Sequence, residues 1–296
     1  MAFKIITDSA SDLPKDLIEK YDLKVIPTPV IINGKDRFDG QDIFPEEFYS
    51  IQASGAEIST YHINEYMFRQ AFEPYAIAGD EVLYMCFSTG VAGTFGAANM
   101  AKEDLLGDYP DFKITIIDTK CASLGFGLAV SKVLRMQENG APREVLIEAA
   151  EYFCSHMEHV FTVETLEYLY RGGRISRPAA KMGGVLNLKP IIIINKEGAL
   201  ESVEKVRGRL KSLHRCIEMV GERGAALEDQ VIGVVHGNAS ETCDMVAEEL
   251  MDRYHCKGIM KSWVGCAIGA HTGPGIIGIV FLNASQDKYL KWLGND

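Results

Sequence analysis

The feature that most restricts this chain is a series of short apolar runs, each ending in a loop that opens a helix. Glu81-Val-Leu-Tyr-Met-Cys-Phe87 is continuously apolar beyond its first residue. It runs into Ser88-Thr89-Gly90-Val91-Ala92-Gly93-Thr94, after which a helix is predicted over 95–105. Lys4-Ile5-Ile6-Thr7 behaves the same way, leading to a helix opened by Pro14 with Ser11 or Asp12 as N-cap. Phe112-Lys-Ile-Thr-Ile-Ile-Asp118 is followed by a mostly helical stretch over 124–139. Strands without polar alternation, separated by helices, predict a parallel sheet covered on both faces.

Between these units, residues 23–32 form a further extended stretch, whose prolines argue for a sheet edge or a strand end. Asn33-Gly34 is a hairpin-turn signal. Phe44-Pro45 starts a helix, and Asn64 caps another over 65–72. After about residue 155 the texture changes. Strands are expected at 159–163, 188–194, 200–206, 231–235, 258–263 and 276–282, with a short helix at 166–170 and longer helices at 210–221 and 241–254. The expected fold class is α/β with two domains: residues 1–156, a parallel-sheet α/β/α unit, and residues 157–296, a mixed-sheet α+β unit.

A formal net charge of -11 argues against nonspecific nucleic-acid binding, which depends on neutralising phosphates. The 7 cysteines are odd in number, widely spaced and free of any Cys-x-x-Cys, which argues against a disulfide framework or a zinc site. They read as small core residues in a reducing compartment. No apolar run approaches the roughly 20 residues of a membrane span. The first residues lead straight into a strand with no basic region or cleavage site, so no export signal is expected and the location is read as cytoplasmic. No metal and no cofactor is expected.

Four constellations could carry chemistry. Asp8-Ser9-Ala10-Ser11-Asp12 offers oxygens for a metal or a phosphate, against the favoured reading that they cap a helix. The turn containing Gly90 and Gly93 presents backbone N–H groups that suit a small anion, or it is a tight turn. Its spacing is neither a dinucleotide fingerprint nor a P-loop. In Gly269-Ala-His271-Thr272-Gly273-Pro274-Gly275, His271 and Thr272 look like donors poised in a glycine–proline loop, while His156 and His159 read as surface or satisfied core residues. Arg171, Arg174 and Arg177 cluster around Gly172-Gly173, with a second basic run at Lys205-Val-Arg207-Gly-Arg209-Leu-Lys211. They suit a phosphate or an acidic partner, or a solvated helix end. No Gly-x-Ser-x-Gly elbow and no metal-like histidine spacing occurs.

Taken together these pieces resemble the DegV family, nearly end to end. The resemblance rests on Thr7-Asp8-Ser9-Ala-Ser-Asp12-Leu13-Pro14, Ser59-Thr60, Ser88-Thr89-Gly90-Val-Ala92-Gly93-Thr94, Leu166-Glu-Tyr-Leu with Gly172-Gly173-Arg174-Ile175, Leu186-Asn187-Leu-Lys189-Pro190 and His271-Thr272-Gly273-Pro274-Gly275. It implies a non-catalytic carrier that holds a long-chain fatty acid between its two domains, the acyl chain in an apolar tunnel. The acid would be presented to a separate fatty acid kinase, with at most transient contact with a membrane surface. By resemblance, the carboxylate falls to Thr60, Ser88, Thr89, Gly90, Ala92, Gly93, His271 and Thr272, and partner or phosphate recognition to Arg171, Arg174 and Arg207.

Two departures stand out. Ala92 replaces the family's usual serine, and Thr60 is followed by Tyr61-His62-Ile63, which makes His62 the candidate substitute donor. The alternatives are a lipid-sensing module without a kinase partner, or an acyl hydrolase or transferase with His271 as general base.

Overall fold

The computed structural model describes residues 2–176 and 187–294. Arg177 and Leu186 of the signatures above lie outside the described residues. The first half of the chain forms β1 (Phe3–Asp8), β2 (Lys24–Ile26), β3 (Pro29–Ile32), β4 (Lys35–Phe38), β5 (Ile58–Thr60), β6 (Glu81–Cys86) and β7 (Ile114–Asp118). The second half forms β8 (Met157–Thr162), β9 (Leu188–Ile194), β10 (Leu200–Arg207), β11 (Val231–His236), β12 (Gly258–Trp263) and β13 (Ile277–Leu282).

Strands β2-β1-β6-β7 make a four-stranded sheet with every pairing parallel. As its unbroken apolar run requires, β6 is buried along its whole length. Strands β10-β9-β8-β13-β11-β12 make a six-stranded mixed sheet in which β11 and β12 are parallel and the other neighbours antiparallel. The fold class read from the sequence is therefore the observed one.

A third, antiparallel sheet of order β4-β3-β5 was not expected from the sequence. The 23–32 stretch supplies strands to two different sheets. β2 is an edge strand, as its composition suggests, but β3 is central and admits Pro29 because that residue is its first. Asn33 and Gly34 both have positive φ, 50° and 75°, and close the two-residue turn between β3 and β4.

Two helix expectations need correction. The first helix runs Lys15–Lys20 with Pro14 at the N-cap and no side-chain cap; Asp8 instead caps the preceding single turn Ser9–Ser11 by accepting from the Ala10 amide. A helix at Arg143–Ser155 went unread although Leu146, Ala149, Ala150, Phe153 and Cys154 form a buried stripe at helical spacing.

The Ser123–Glu138 helix joins the two halves and is buried around most of its circumference. Glycines on its opposite faces permit this. A Cβ on Gly125 would lie 2.1 Å from Nε2 of His159 on the six-stranded sheet, and one on Gly127 would lie 2.3 Å from the Ser11 carbonyl oxygen. One apolar core runs through the contact, from Leu83 and Met85 on β6 to Phe161, Val235 and Val280.

Candidate functional site

Beside that helix a cavity separates the inner face of the six-stranded sheet from the first half of the chain. The space between its walls is about 930 Å³ counting the part that opens to solvent, of which about 100 Å³ can hold the centre of a water-sized sphere. The strand register explains the floor. Phe161 on β8 pairs with Gly278 on β13, which pairs with Val235 on β11, and all three line the cavity. A Cβ on Gly278 would lie 2.9 Å from Val235, so the missing side chain leaves space where three strands meet. Phe87, Val91, Leu169 and Ile268 add further apolar wall.

The polar lining gathers around Thr60 and His271. Thr60 ends β5, and its Oγ1 lies 2.6 Å from Nε2 of His271. His271 is on the short helix Cys266–Thr272, which corrects the expectation of a loop; the loop begins at Gly273. Burial, with the Arg174 charge as the lesser cause, pushes the His271 pKa down to about 4, so the ring is neutral near pH 7. Its Nδ1 faces the Gly172 backbone, where a Cβ would lie only 2.1 Å away. Half-buried Arg174 donates from Nε to the Val91 carbonyl and from Nη1 to the Gly172 carbonyl, both neutral acceptors.

Among the residues assigned by resemblance, Thr60, His62, Ala92, Arg174, His271 and Thr272 line the cavity. The His62 ring packs on Gly93, 3.5 Å from where a Cβ would stand. Other assigned residues have different partners and do not line the cavity. Ser88 is fully buried, and its Oγ donates to the Gly198 carbonyl at 2.7 Å. Gly90 packs so closely on the same Gly198 that a Cβ would lie 2.3 Å from the carbonyl carbon. Exposed Thr89 donates to Asp118 at 2.6 Å. Exposed Arg171 pairs with Glu167, and Arg207 lies on β10 at the sheet edge opposite Leu188.

The sequence reading assigned no site role to five further polar lining residues: Thr28, Tyr61, Thr94, Ser123 and His159. Thr94 opens the helix after the glycine turn, two residues beyond Ala92. His159 shares the inward face of β8 with Phe161, a placement the two-residue period of that strand could have disclosed. Its burial pushes the imidazole pKa down to about 4. Among the described residues, no group of three or more His, Cys, Asp or Glu is placed to hold a metal, and no helix is long and apolar enough to cross a membrane.

A family model described as "Uncharacterised protein, DegV family" matches residues 2–284. The chain belongs to the DegV family. A DegV domain-containing protein of Clostridium perfringens is 34% identical over 96% of this chain and 99% of its own length. Two solved DegV-fold structures superpose closely. One is described as the fatty acid binding of a DegV family protein from Thermus thermophilus, with TM-score 0.85, 27% identity, and 95% of this chain and 99% of that one covered. The other is a stearic acid-binding protein from Eubacterium ventriosum, with TM-score 0.86, 27% identity, and 95% and 98% covered.

Proposed function

We propose that this protein binds a long-chain fatty acid in the cavity between its sheets and acts as a non-catalytic carrier. The observation that carries the reading is the chemistry of the lining. Extensive apolar walls meet a cluster in which Thr60, neutral His271 and half-buried Arg174 stand together. The fatty-acid binding described for the two structural neighbours supports it.

Burying an acyl chain gains about 0.8 kcal/mol per methylene, so a chain of about fifteen contributes roughly 12 kcal/mol before ordering costs. The tail dominates affinity. A buried carboxylate without hydrogen bonds is costly, so the polar cluster sets direction and selectivity. With its hydrogen on Nε2, His271 donates to Thr60 Oγ1 and frees the threonine hydrogen for a ligand oxygen. Arg174 supplies the positive charge, so this reading moves Arg174 from partner recognition to the carboxylate itself. Thr94 stands on the same wall as Ala92 and is the hydroxyl that takes the place of the family's serine, with His62 a second donor.

The bound acid would be handed to a separate kinase, for which exposed Arg171, ion-paired with Glu167, is the candidate contact. In this reading the chain divides near residue 156 into two units that close on the acyl chain. Native mass spectrometry of protein purified without added lipid tests the reading. A bound mass equal to a long-chain fatty acid is the expected result. A lipid-free protein that also fails to take up palmitate would refute it. Turnover of an acyl ester, lost in His271→Ala, would favour an enzyme instead.

A further inference from the structure

Three carboxylates, Asp8, Asp12 and Asp39, are buried behind the cavity walls, each hydrogen-bonded to neutral donors. Asp39 has the most telling arrangement. One oxygen accepts from the Cys266 amide at 3.0 Å and the other from the Ala267 amide at 3.0 Å. Asp12 accepts from the preceding amide, Gly265, at 3.0 Å, and its second oxygen accepts from Ser123. Consecutive N–H groups at the start of the Cys266–Thr272 helix are thus held by carboxylates from the other half of the chain.

Asp39 directly follows β4, which pairs with β3; β3 pairs with β5 through Val30 and Thr60. Thr60 and Asp39 are therefore carried by one small sheet, while Ala267 and His271 lie four residues apart on one face of the helix. Gly269, between them, lets the helix pack closely on Tyr49, whose hydroxyl would lie 2.7 Å from a Cβ there. From this geometry we infer that Asp39 is a positioning residue for head-group binding: it ties the sheet bearing Thr60 to the helix bearing His271 and so fixes their separation. Asp12 seconds it at Gly265, where an added Cβ would lie 2.6 Å from an Asp12 carboxylate oxygen and 3.0 Å from one of Asp39. Two adjacent amides need two acceptor oxygens on one side chain. Asparagine would turn an NH₂ toward one of them, so the job needs a carboxylate despite the cost of burying it.

The inference rests on the fatty-acid reading, and the experiment separates the two. Palmitate and hexadecanol affinities are measured for the unmutated protein, for Asp39→Asn, and for Val246→Ala, a cavity-forming change in the separate outer core of the six-stranded sheet. If the unmutated protein does not bind palmitate, the fatty-acid reading fails. If it does, Asp39→Asn is expected to cut the preference for acid over alcohol about tenfold, while Val246→Ala lowers thermal stability and leaves that preference alone. A preference within twofold of the unmutated protein's in Asp39→Asn overturns the inference. Hydrogen exchange on the unmutated protein covers the case in which Asp39→Asn does not fold. The 265–267 amides should gain protection with palmitate and not with hexadecanol; equal protection by both would count against the role.

Discussion

Thr60 Oγ1 and His271 Nε2 meet at 2.6 Å across 211 residues of sequence. The contact joins an edge strand of the smallest sheet to the last turn of a short helix, and it places a hydroxyl and an imidazole on the wall of an apolar cavity.

Thr60→Val keeps the shape of the side chain and removes the hydroxyl. A hydrogen bond to a charged group is worth about 1.5–3 kcal/mol, so palmitate affinity should fall roughly ten- to a hundredfold. Hexadecanol affinity should change far less. Calorimetric titration of both ligands checks this, and an unchanged palmitate affinity would remove Thr60 from the site.

Gly172→Ala tests the same contact from behind. The new Cβ would lie 2.1 Å from His271 Nδ1, so the ring must move. Palmitate binding should weaken although position 172 is not itself among the cavity-lining residues. Wild-type affinity in this variant would show that the ring orientation is immaterial.

Arg174→Met addresses charge. Burial, and to a lesser extent the Arg174 charge, holds the His271 pKa down to about 4. Removing the charge should raise the His271 midpoint, with burial keeping it below the ordinary histidine value. NMR titration of the imidazole reads the midpoint directly. Palmitate affinity should fall in the same variant, since the carboxylate loses its positive partner.

Lys132 gives a pH prediction away from the cavity. It is buried on the Ser123–Glu138 helix, donates to Gln286 at 2.8 Å, and has its pKa pushed down to about 8 by burial. Below pH 8 the folded protein carries the full cost of the buried charge. Between pH 8 and the unfolded value near 10.5 the unfolded chain binds more protons, so stability rises with pH. The stability of the unmutated protein relative to Lys132→Met should therefore increase from pH 8 to 10.5 in urea titrations. A flat difference would mean that the amine is not buried.

The parallel sheet was legible because its strands carry continuous apolar runs. The cavity-lining Thr60, Arg174 and His271 were singled out through short motifs, each local in sequence, although the three lie far apart along the chain. What escaped reading depends on partners far away in the chain. Ser88 looked like an anion donor beside Gly90, but its hydroxyl is taken by Gly198, 110 residues on. Asp12 and Asp39 gave no sign that they would meet the consecutive amides of Gly265, Cys266 and Ala267. The small third sheet was hidden because each of its strands has three or four residues, too few for an alternating pattern to register. His159 was set aside as a surface or satisfied core residue, although it shares with Phe161 the face of β8 that lines the cavity.

The most direct test of the central claim is a crystal structure of the protein with bound palmitate. The acyl chain should lie along Phe161, Gly278 and Val235, with a carboxylate oxygen within hydrogen-bond distance of the Thr60 hydroxyl and Arg174 nearby. A cavity closed by the protein's own side chains, or palmitate bound only at the outer surface, would contradict the account.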